Sequence, residues 1–123
     1  MARIMVVDDD QATLHVMAQA LAQRGDHEVL SFQDAAAALQ SLDASRVIDI
    51  LITDIDMPEV SGRALAEAAR ASNGELKVLF VSGYAEALAK AQAEAGASGS
   101  VHVLSKPFTL PALQDAMAQV GIA

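Results

Sequence analysis

The chain has 123 residues, of which 53% are hydrophobic, and it carries a formal net charge of −8 at pH 7. This length supports one hydrophobic core, so we predict a single domain over residues 1–123, and the hydrophobic fraction excludes a disordered tail. The acidic balance argues against direct binding of nucleic acid, which requires a basic surface to contact the phosphates.

Cysteine is absent, which excludes disulfides and thiolate metal sites and fits a reducing compartment. The longest apolar runs are far shorter than the roughly 20 residues that a membrane-spanning helix needs. The N-terminus lacks a basic region followed by an apolar core and a cleavage site, so secretion is not expected. We therefore predict a cytoplasmic chain that contacts no membrane and whose partners are proteins or a cation.

Apolar runs with the length of buried strands alternate with segments of helical periodicity along the whole chain. The first run, residues 4–7, ends in three consecutive acids. A central run ends at Asp54, and Pro58 and Gly62 then predict a turn before the next helix. The other predicted strands are residues 28–32, 77–81 and 101–104.

A helix is predicted after each strand. On the first helix, which Gly25 is expected to end, the apolar residues recur at helical spacing; they are Leu14, Met17, Ala18 and Leu21. Asp10, Asp34 and Thr109 are in position to cap the first, second and fifth helices. The third helix is predicted over residues 62–71, and the fourth ends near residue 95.

Five strands that alternate with helices imply an α/β fold, with a parallel sheet covered on both faces and right-handed crossovers. The simplest five-strand layout is the doubly wound, flavodoxin-like order 2-1-3-4-5, which makes strands 1 and 3 neighbours at the switch point. In that order Asp8, Asp9 and Asp54 converge at one edge of the sheet. Ser82 and Lys106, at the ends of strands 4 and 5, lie beside them.

Three carboxylates in one place repel each other. Two unit charges about 4 Å apart cost roughly 4 kcal/mol at an effective dielectric near 20, so either one acid stays protonated or a cation lies among them. Mg²⁺ fits, since it uses one or two carboxylates plus waters and phosphate oxygens. A carboxylate beside Mg²⁺ can also attack phosphorus and form an acyl phosphate. Lys106 would stabilise the charge on the phosphoryl oxygens, and the hydroxyl of Ser82 could donate to them.

Taken singly, these segments have ordinary explanations. Acids after a strand often cap the next helix, Ser82 and Gly83 form a turn, and a lone surface lysine usually does nothing specific. Their order and their placement at successive strand ends are what favour a phosphoryl-transfer site.

With these features, the whole chain resembles a receiver domain of two-component signalling, the CheY-like phospho-accepting module of bacterial response regulators. The resemblance rests on residues at five places, which are Asp8-Asp9, Asp54-Ile55-Asp56-Met57-Pro58, Gly62, Ser82 and Lys106-Pro107-Phe108.

The resemblance implies that Asp54 accepts a phosphoryl group from a histidine of a histidine kinase or histidine phosphotransfer protein. It also implies a magnesium site in which Asp9 and Asp54 bind the ion directly, Asp8 through water and Asp56 through its backbone carbonyl. A receiver of this kind catalyses only its own phosphorylation and dephosphorylation.

The resemblance further implies a conformational switch. Lys106 would contact the phosphoryl group, and Ser82 would move towards it and re-shape the face of helix 4, strand 5 and helix 5 for a downstream protein. Receivers often form homodimers through this face. They commonly carry an aromatic residue three positions before the lysine, where this chain has Val103. Tyr84 is the candidate substitute, against the simpler interpretation of an exposed tyrosine. The small residues of segment 96–100 predict a mobile loop.

Segments 81–84 and 104–108 resemble receivers of hybrid kinases and of stand-alone alphaproteobacterial cell-cycle regulators of the CpdR kind, which act as adaptors in regulated proteolysis. Because the chain ends at the fifth predicted helix, we expect either a stand-alone regulator or a receiver excised from a hybrid histidine kinase.

Two other classes of protein are alternatives to a receiver. Asp54 and Asp56 resemble the Asp-x-Asp of haloacid-dehalogenase-type phosphatases, in which the first acid is the nucleophile and the second the general acid. That motif normally follows the first strand of a larger domain, whereas here it follows the third. A pseudo-receiver that only binds partners would not need the clustered acids.

Overall fold

The computed structural model describes residues 2–42, 47–95 and 99–122, in which five β-strands alternate with five α-helices. The strands are β1 (Arg3–Val7), β2 (Glu28–Phe32), β3 (Ile50–Asp54), β4 (Lys77–Ser82) and β5 (Val101–Ser105). The helices are α1 (Gln11–Ala22), α2 (Ala35–Ser41), α3 (Gly62–Ser72), α4 (Ala85–Ala95) and α5 (Leu110–Gln119). The predicted alternation of strands and helices is therefore confirmed, with small differences at the ends of elements.

The five strands form one parallel sheet in the order β2-β1-β3-β4-β5. This confirms the predicted flavodoxin-like arrangement. In the central strand, Leu51 pairs with Met5 of β1 on one side and with Val78 of β4 on the other. Every residue of β3 is buried, because the strand has neighbours on both sides and helices over both faces. As a result, the carboxyl ends of β1 and β3 lie side by side.

Side chains that alternate along the strands enter two hydrophobic cores, one on each face of the sheet. The first core contains Met5 and Leu51 and is covered by α2, α3 and α4. The second contains Ile4 and Ile52 and is covered by α1 and α5. This division holds the strand ends rigidly against each other, which positions the groups that follow them.

Polar side chains define where the helices begin. The carboxylates of Asp10 and Asp34 and the hydroxyl of Thr109 accept hydrogen bonds from first-turn N–H groups, so all three predicted caps are confirmed. Ser61 caps α3 in the same way and was not predicted. The first helix ends before Gly25, which was expected to end it and which instead turns the chain towards β2 at φ +107°.

The buried stripe of α1 differs slightly from the predicted one. Met17 and Leu21 are buried as expected, but Ala20 is buried where Ala18 was predicted, and Leu14 is only partly covered. Small residues fit either side of the helix, so alanine spacing alone does not determine which one faces the sheet.

Residues 96–98 of the predicted mobile loop lie outside the described part of the chain. Within the described ranges, no helix combines the length and apolar character needed to cross a membrane.

Candidate functional site

Acidic side chains from two neighbouring strands meet at the carboxyl edge of the sheet. Asp8 directly follows β1, and Asp54 is the last residue of β3. The two strands are paired in parallel register, with Val7 opposite Thr53. Carboxylate oxygens of Asp8, Asp9 and Asp54 lie within 4.8 Å of one another. The order of the strands therefore brings together the three acids for which convergence was expected.

The three acids differ in their surroundings. Asp8 is completely buried and Asp54 is 7% exposed, whereas Asp9 faces the solvent. One oxygen of each buried carboxylate accepts a backbone N–H two residues further on, from Asp10 to Asp8 Oδ1 at 2.9 Å and from Asp56 to Asp54 Oδ1 at 3.0 Å. These hydrogen bonds fix the orientation of both carboxylates and leave the Oδ2 atoms for other groups.

Lys106 provides the positive charge of the site. It follows β5, and its Nζ lies 2.8 Å from Asp8 Oδ2 and 2.9 Å from Asp54 Oδ2. Its backbone N–H donates to the carbonyl of Ser82 at 2.8 Å, which ties the segment after β5 to the end of β4. One ammonium group thus bridges acids that come from β1 and β3.

Burial and the neighbouring polar groups shift the pKa values of Asp8 and Lys106. Burial raises the pKa of Asp8, and the hydrogen bonds from Lys106 and from the Asp10 backbone only partly offset this. Burial alone would lower the pKa of Lys106, but its contacts with Asp8 and Asp54 outweigh that effect and raise it. The ammonium group therefore stays charged at physiological pH.

Ser82, the last residue of β4, faces the loop after β3. Its Oγ donates to Asp56 Oδ2 at 3.3 Å and accepts the backbone N–H of Tyr84 at 3.0 Å. The hydroxyl is buried, and its proton is directed to Asp56. The sequence indicated Asp56 as a backbone metal ligand and, in the phosphatase alternative, as a general acid, but not as the partner of Ser82, because side-chain contacts between two loops leave no periodic signal.

Gly62 allows the start of α3 to lie against the end of β3. A Cβ atom at this position would lie 2.1 Å from the carbonyl oxygen of Asp54, so only glycine fits without a shift of the backbone. The N–H of Gly62 also donates to the carbonyl of Ile55 at 2.9 Å. The sequence indicated this glycine as part of a turn. In the structure, its lack of a side chain is what lets the backbone of α3 approach Asp54.

The two side chains proposed for the switch, those of Val103 and Tyr84, differ in their burial. Val103 is partly buried against the core that α4 covers. The side chain of Tyr84 is 68% exposed, and its backbone N–H makes the contact with Ser82. The tyrosine ring thus points to solvent in this conformation, as the simpler interpretation of Tyr84 expects.

The cluster has the donors that a hard divalent cation uses, since all of its acidic ligand atoms are carboxylate oxygens. Asp8 Oδ2 is buried, and among the described residues the ammonium group of Lys106 is its polar partner, which leaves one of the acceptor positions of this oxygen open. That oxygen therefore retains capacity to accept a bond from a cation or its water. The residues present fit Mg²⁺.

A groove of about 470 Å³ opens beside the cluster, between α1 and the segment after β5. Asp10, Thr13 and Val16 line one side, and Lys106 and Phe108 line the other. Val16 is 45% exposed. The ammonium group of the site can therefore be reached from solvent through a surface that is partly apolar.

Comparison with known proteins gives a consistent result. Residues 4–118 match the family model of the response regulator receiver domain. The chain is 33% identical to the response regulator receiver protein CpdR of Brucella abortus (strain 2308), over 100% of this chain and 99% of that protein. It is 32% identical to the sensor kinase CckA of the same organism, over 97% of this chain and 12% of the kinase.

A solved structure has the same fold. A response regulator receiver protein from Sinorhizobium medicae WSM419 is 28% identical, with a TM-score of 0.80, over 97% of this chain and 93% of that one.

Proposed function

The chain belongs to the response regulator receiver domain family of two-component systems, and from this membership we propose that it accepts a phosphoryl group on Asp54 from a histidine of a partner protein. The observation that carries the proposal is the Asp54 carboxylate, which is held between Lys106 at 2.9 Å and the acids Asp8 and Asp9. Such a carboxylate is oriented, reachable by a cation and next to a fixed positive charge.

In the transfer, a carboxylate oxygen of Asp54 forms a bond to phosphorus while the P–N bond of the donor phosphohistidine breaks. The bonding electrons return to the imidazole, which leaves with a proton. Lys106 stabilises the negative charge on the phosphoryl oxygens, because its Nζ already faces Asp54 Oδ2. The hydrogen bond from the Asp56 N–H keeps the carboxylate in one orientation.

Mg²⁺ would be held by Asp9 and Asp54 directly, by Asp8 through water and by the backbone carbonyl of Asp56. When bound, the ion would neutralise part of the negative charge on the phosphoryl oxygens. The oxygen donors of the cluster and the remaining acceptor capacity of Asp8 support this assignment.

Phosphorylation adds a charge of about −1.5 to −2 at the edge of the sheet. We expect Ser82 to turn towards the new oxygens and to carry the segment before α4 with it. The surface formed by α4, β5 and α5 would then change for a downstream protein or a second copy of the chain. Tyr84 and Val103 lie next to this path.

The donor would be a histidine kinase or a histidine phosphotransfer protein that reaches Asp54 over the groove beside Lys106. We propose that residues 1–123 act as one receiver domain in the cytoplasm, without direct contact to nucleic acid or membrane and without turnover of an external substrate. A receiver of a hybrid kinase is the second candidate. It is favoured by the match to CckA, which is 32% identical to this chain over a segment that makes up 12% of the kinase.

The test is the intact mass of the protein after incubation with a small phosphodonor and Mg²⁺. Wild type should gain one phosphoryl group, and Asp54→Asn should gain none. Phosphorylation of the Asp54→Asn variant would contradict the assignment. Sustained hydrolysis of a phosphomonoester by wild type would favour the phosphatase alternative with Asp54 and Asp56.

A further inference from the structure

We propose that the carboxylate of Asp56 is a positioning residue that holds the Ser82 hydroxyl in its unphosphorylated orientation, so that the phosphoryl group must displace Asp56 before the switch can occur. This inference rests on the proposed function of Asp54 and concerns how strongly modification of Asp54 is coupled to Ser82.

The first support is the hydrogen bonding of Ser82. A serine hydroxyl has a single proton to donate, and here that proton is directed to Asp56 Oδ2, with an Oγ–Oδ2 distance of 3.3 Å. The same Oγ accepts the N–H of Tyr84. The hydroxyl cannot donate to Asp56 and to a phosphoryl oxygen at the same time.

The second support is the position of Asp56 relative to Asp54. Its backbone N–H is hydrogen-bonded to Asp54 Oδ1 at 3.0 Å, so the loop that carries Asp56 is fixed to the carboxylate that would be modified. Asp56 itself is exposed, and its carboxylate can therefore rotate into solvent without a burial cost. It can release Ser82 while its backbone stays in place.

These contacts make Asp56 and the phosphoryl group competitors for one proton. A phosphoryl group on Asp54 offers charged oxygens to Ser82 and also repels the nearby Asp56 carboxylate, because both are negative. The side chain at position 56 therefore affects how readily Ser82 turns to a phosphoryl group on Asp54. A side chain that cannot accept a hydrogen bond should make this rearrangement cost less free energy.

A double-mutant cycle with beryllofluoride as the phosphoryl mimic tests this at saturating Mg²⁺. Asp56→Ala should tighten the apparent Kd of beryllofluoride about tenfold, the low end expected for a lost hydrogen bond to a charged acceptor. The Ser82→Ala background has no hydroxyl to release. There, Asp56→Ala should change the apparent Kd only by the effect of removing the negative charge of Asp56. Asp56→Asn keeps an acceptor, so its effect should be equal in both backgrounds.

Glu59→Gln serves as the matched control, since it removes one negative charge from the same loop. A second measurement needs no ligand: the amide chemical shift of Tyr84 should move in Asp56→Ala and stay unchanged in Glu59→Gln, because that amide binds Ser82 Oγ.

The outcomes separate the two proposals. If wild type neither binds beryllofluoride nor gains a phosphoryl group, the proposed function fails and this inference fails with it. If wild type does both and Asp56→Ala has the same effect with and without the Ser82 hydroxyl, Asp56 acts only through its charge and the inference is wrong. An unmoved Tyr84 amide in Asp56→Ala would overturn it as well.

Discussion

Of the three acids in the cluster, Asp8 is the most deeply buried, so its carboxylate loses the most hydration when it is ionised. It is completely buried, and it lies opposite another carboxylate with Lys106 as the neutralising group. The raised pKa of Asp8 shows that burial outweighs this neutralisation. A folded protein that keeps such a group ionised is destabilised by it, so the acid is better suited to a function than to stability.

The effect of Asp8→Asn on stability should depend on pH. The folded state binds the Asp8 proton more tightly than the unfolded state does, so ionisation of Asp8 destabilises the fold. We expect Asp8→Asn to raise the unfolding free energy of the metal-free protein at neutral pH. This gain should shrink as pH falls through the raised pKa of Asp8 towards the ordinary value of 3.8.

Urea unfolding of both proteins in EDTA between about pH 4 and pH 7.5 measures this difference. A gain that is constant over that range, or a loss of stability at neutral pH, would contradict the assignment of a buried, ionised Asp8.

Removal of the ammonium group should have the opposite effect. Lys106→Met leaves Asp8 and Asp54 without their shared cation, and since the side chain of Lys106 is 22% exposed we expect a loss of about 3 kcal/mol, the low end for a broken buried pair. Added Mg²⁺ should restore part of the loss by replacing the missing charge.

Urea unfolding with and without Mg²⁺ provides the measurement. Lys90→Met, which removes a charge from an exposed position on α4, should change stability by less than about 0.5 kcal/mol. Equal losses in the two variants would show that the ion pairs of Lys106 contribute little.

At the scale of elements, the junction of β3 and α3 depends on a single glycine. The first residue of α3 lies so close to the carbonyl of Asp54 that a methyl group cannot be placed there. A shift of the start of α3, which Ser61 caps, would therefore also shift the backbone of Asp54.

Gly62→Ala should destabilise the protein by about 3 kcal/mol, the upper range for overpacking against atoms that cannot move aside. Gly74→Ala is the matched control, because no atom lies within 4 Å of the added Cβ. That variant should have the stability of wild type or slightly more. Thermal unfolding compares the two; similar midpoints would contradict the close approach at Gly62.

Features that follow directly from strand and helix patterns could be predicted from the sequence, whereas contacts between loops could not. The acids and the lysine follow apolar runs, and parallel strands place their carboxyl ends at one edge, so the cluster and the strand order were predictable. The contact of Asp56 with Ser82 was not, since it joins two loops whose relative position only the packed sheet determines. The buried side of α1 was ambiguous for another reason: Ala18 lies three residues before Leu21 and Ala20 three residues after Met17, so either alanine continues the apolar stripe at helical spacing.

At the scale of the whole molecule, the cluster links metal binding to unfolding. A cation that binds only the folded protein raises the unfolding free energy by RT ln(1 + [Mg²⁺]/Kd), which is about 1.4 kcal/mol at ten times Kd. This gain requires the folded sheet, because only there do the carboxylates of Asp8, Asp9 and Asp54 lie close enough to bind one ion.

We expect wild type to show this magnesium-dependent gain and Asp9→Asn to lose most of it. Asp10→Asn is the control, since it removes the neighbouring charge while asparagine remains an equally good cap for α1. Thermal unfolding over a magnesium titration measures all three. A loss in Asp10→Asn as large as that in Asp9→Asn would show that general acidity, and not a defined site, binds the ion.

The ends of β1, β3 and β5 each supply one charged group to the cluster, and these groups are Asp8, Asp54 and Lys106. No short peptide from this chain contains the set. A ribosome-bound chain that has not yet emerged beyond residue 106 would carry Asp8 and Asp54 without the ammonium group of Lys106. We therefore expect the complete cluster, and with it any capacity of Asp54 to be modified, to form only after the segment that contains Lys106 has been synthesised and packed beside β4.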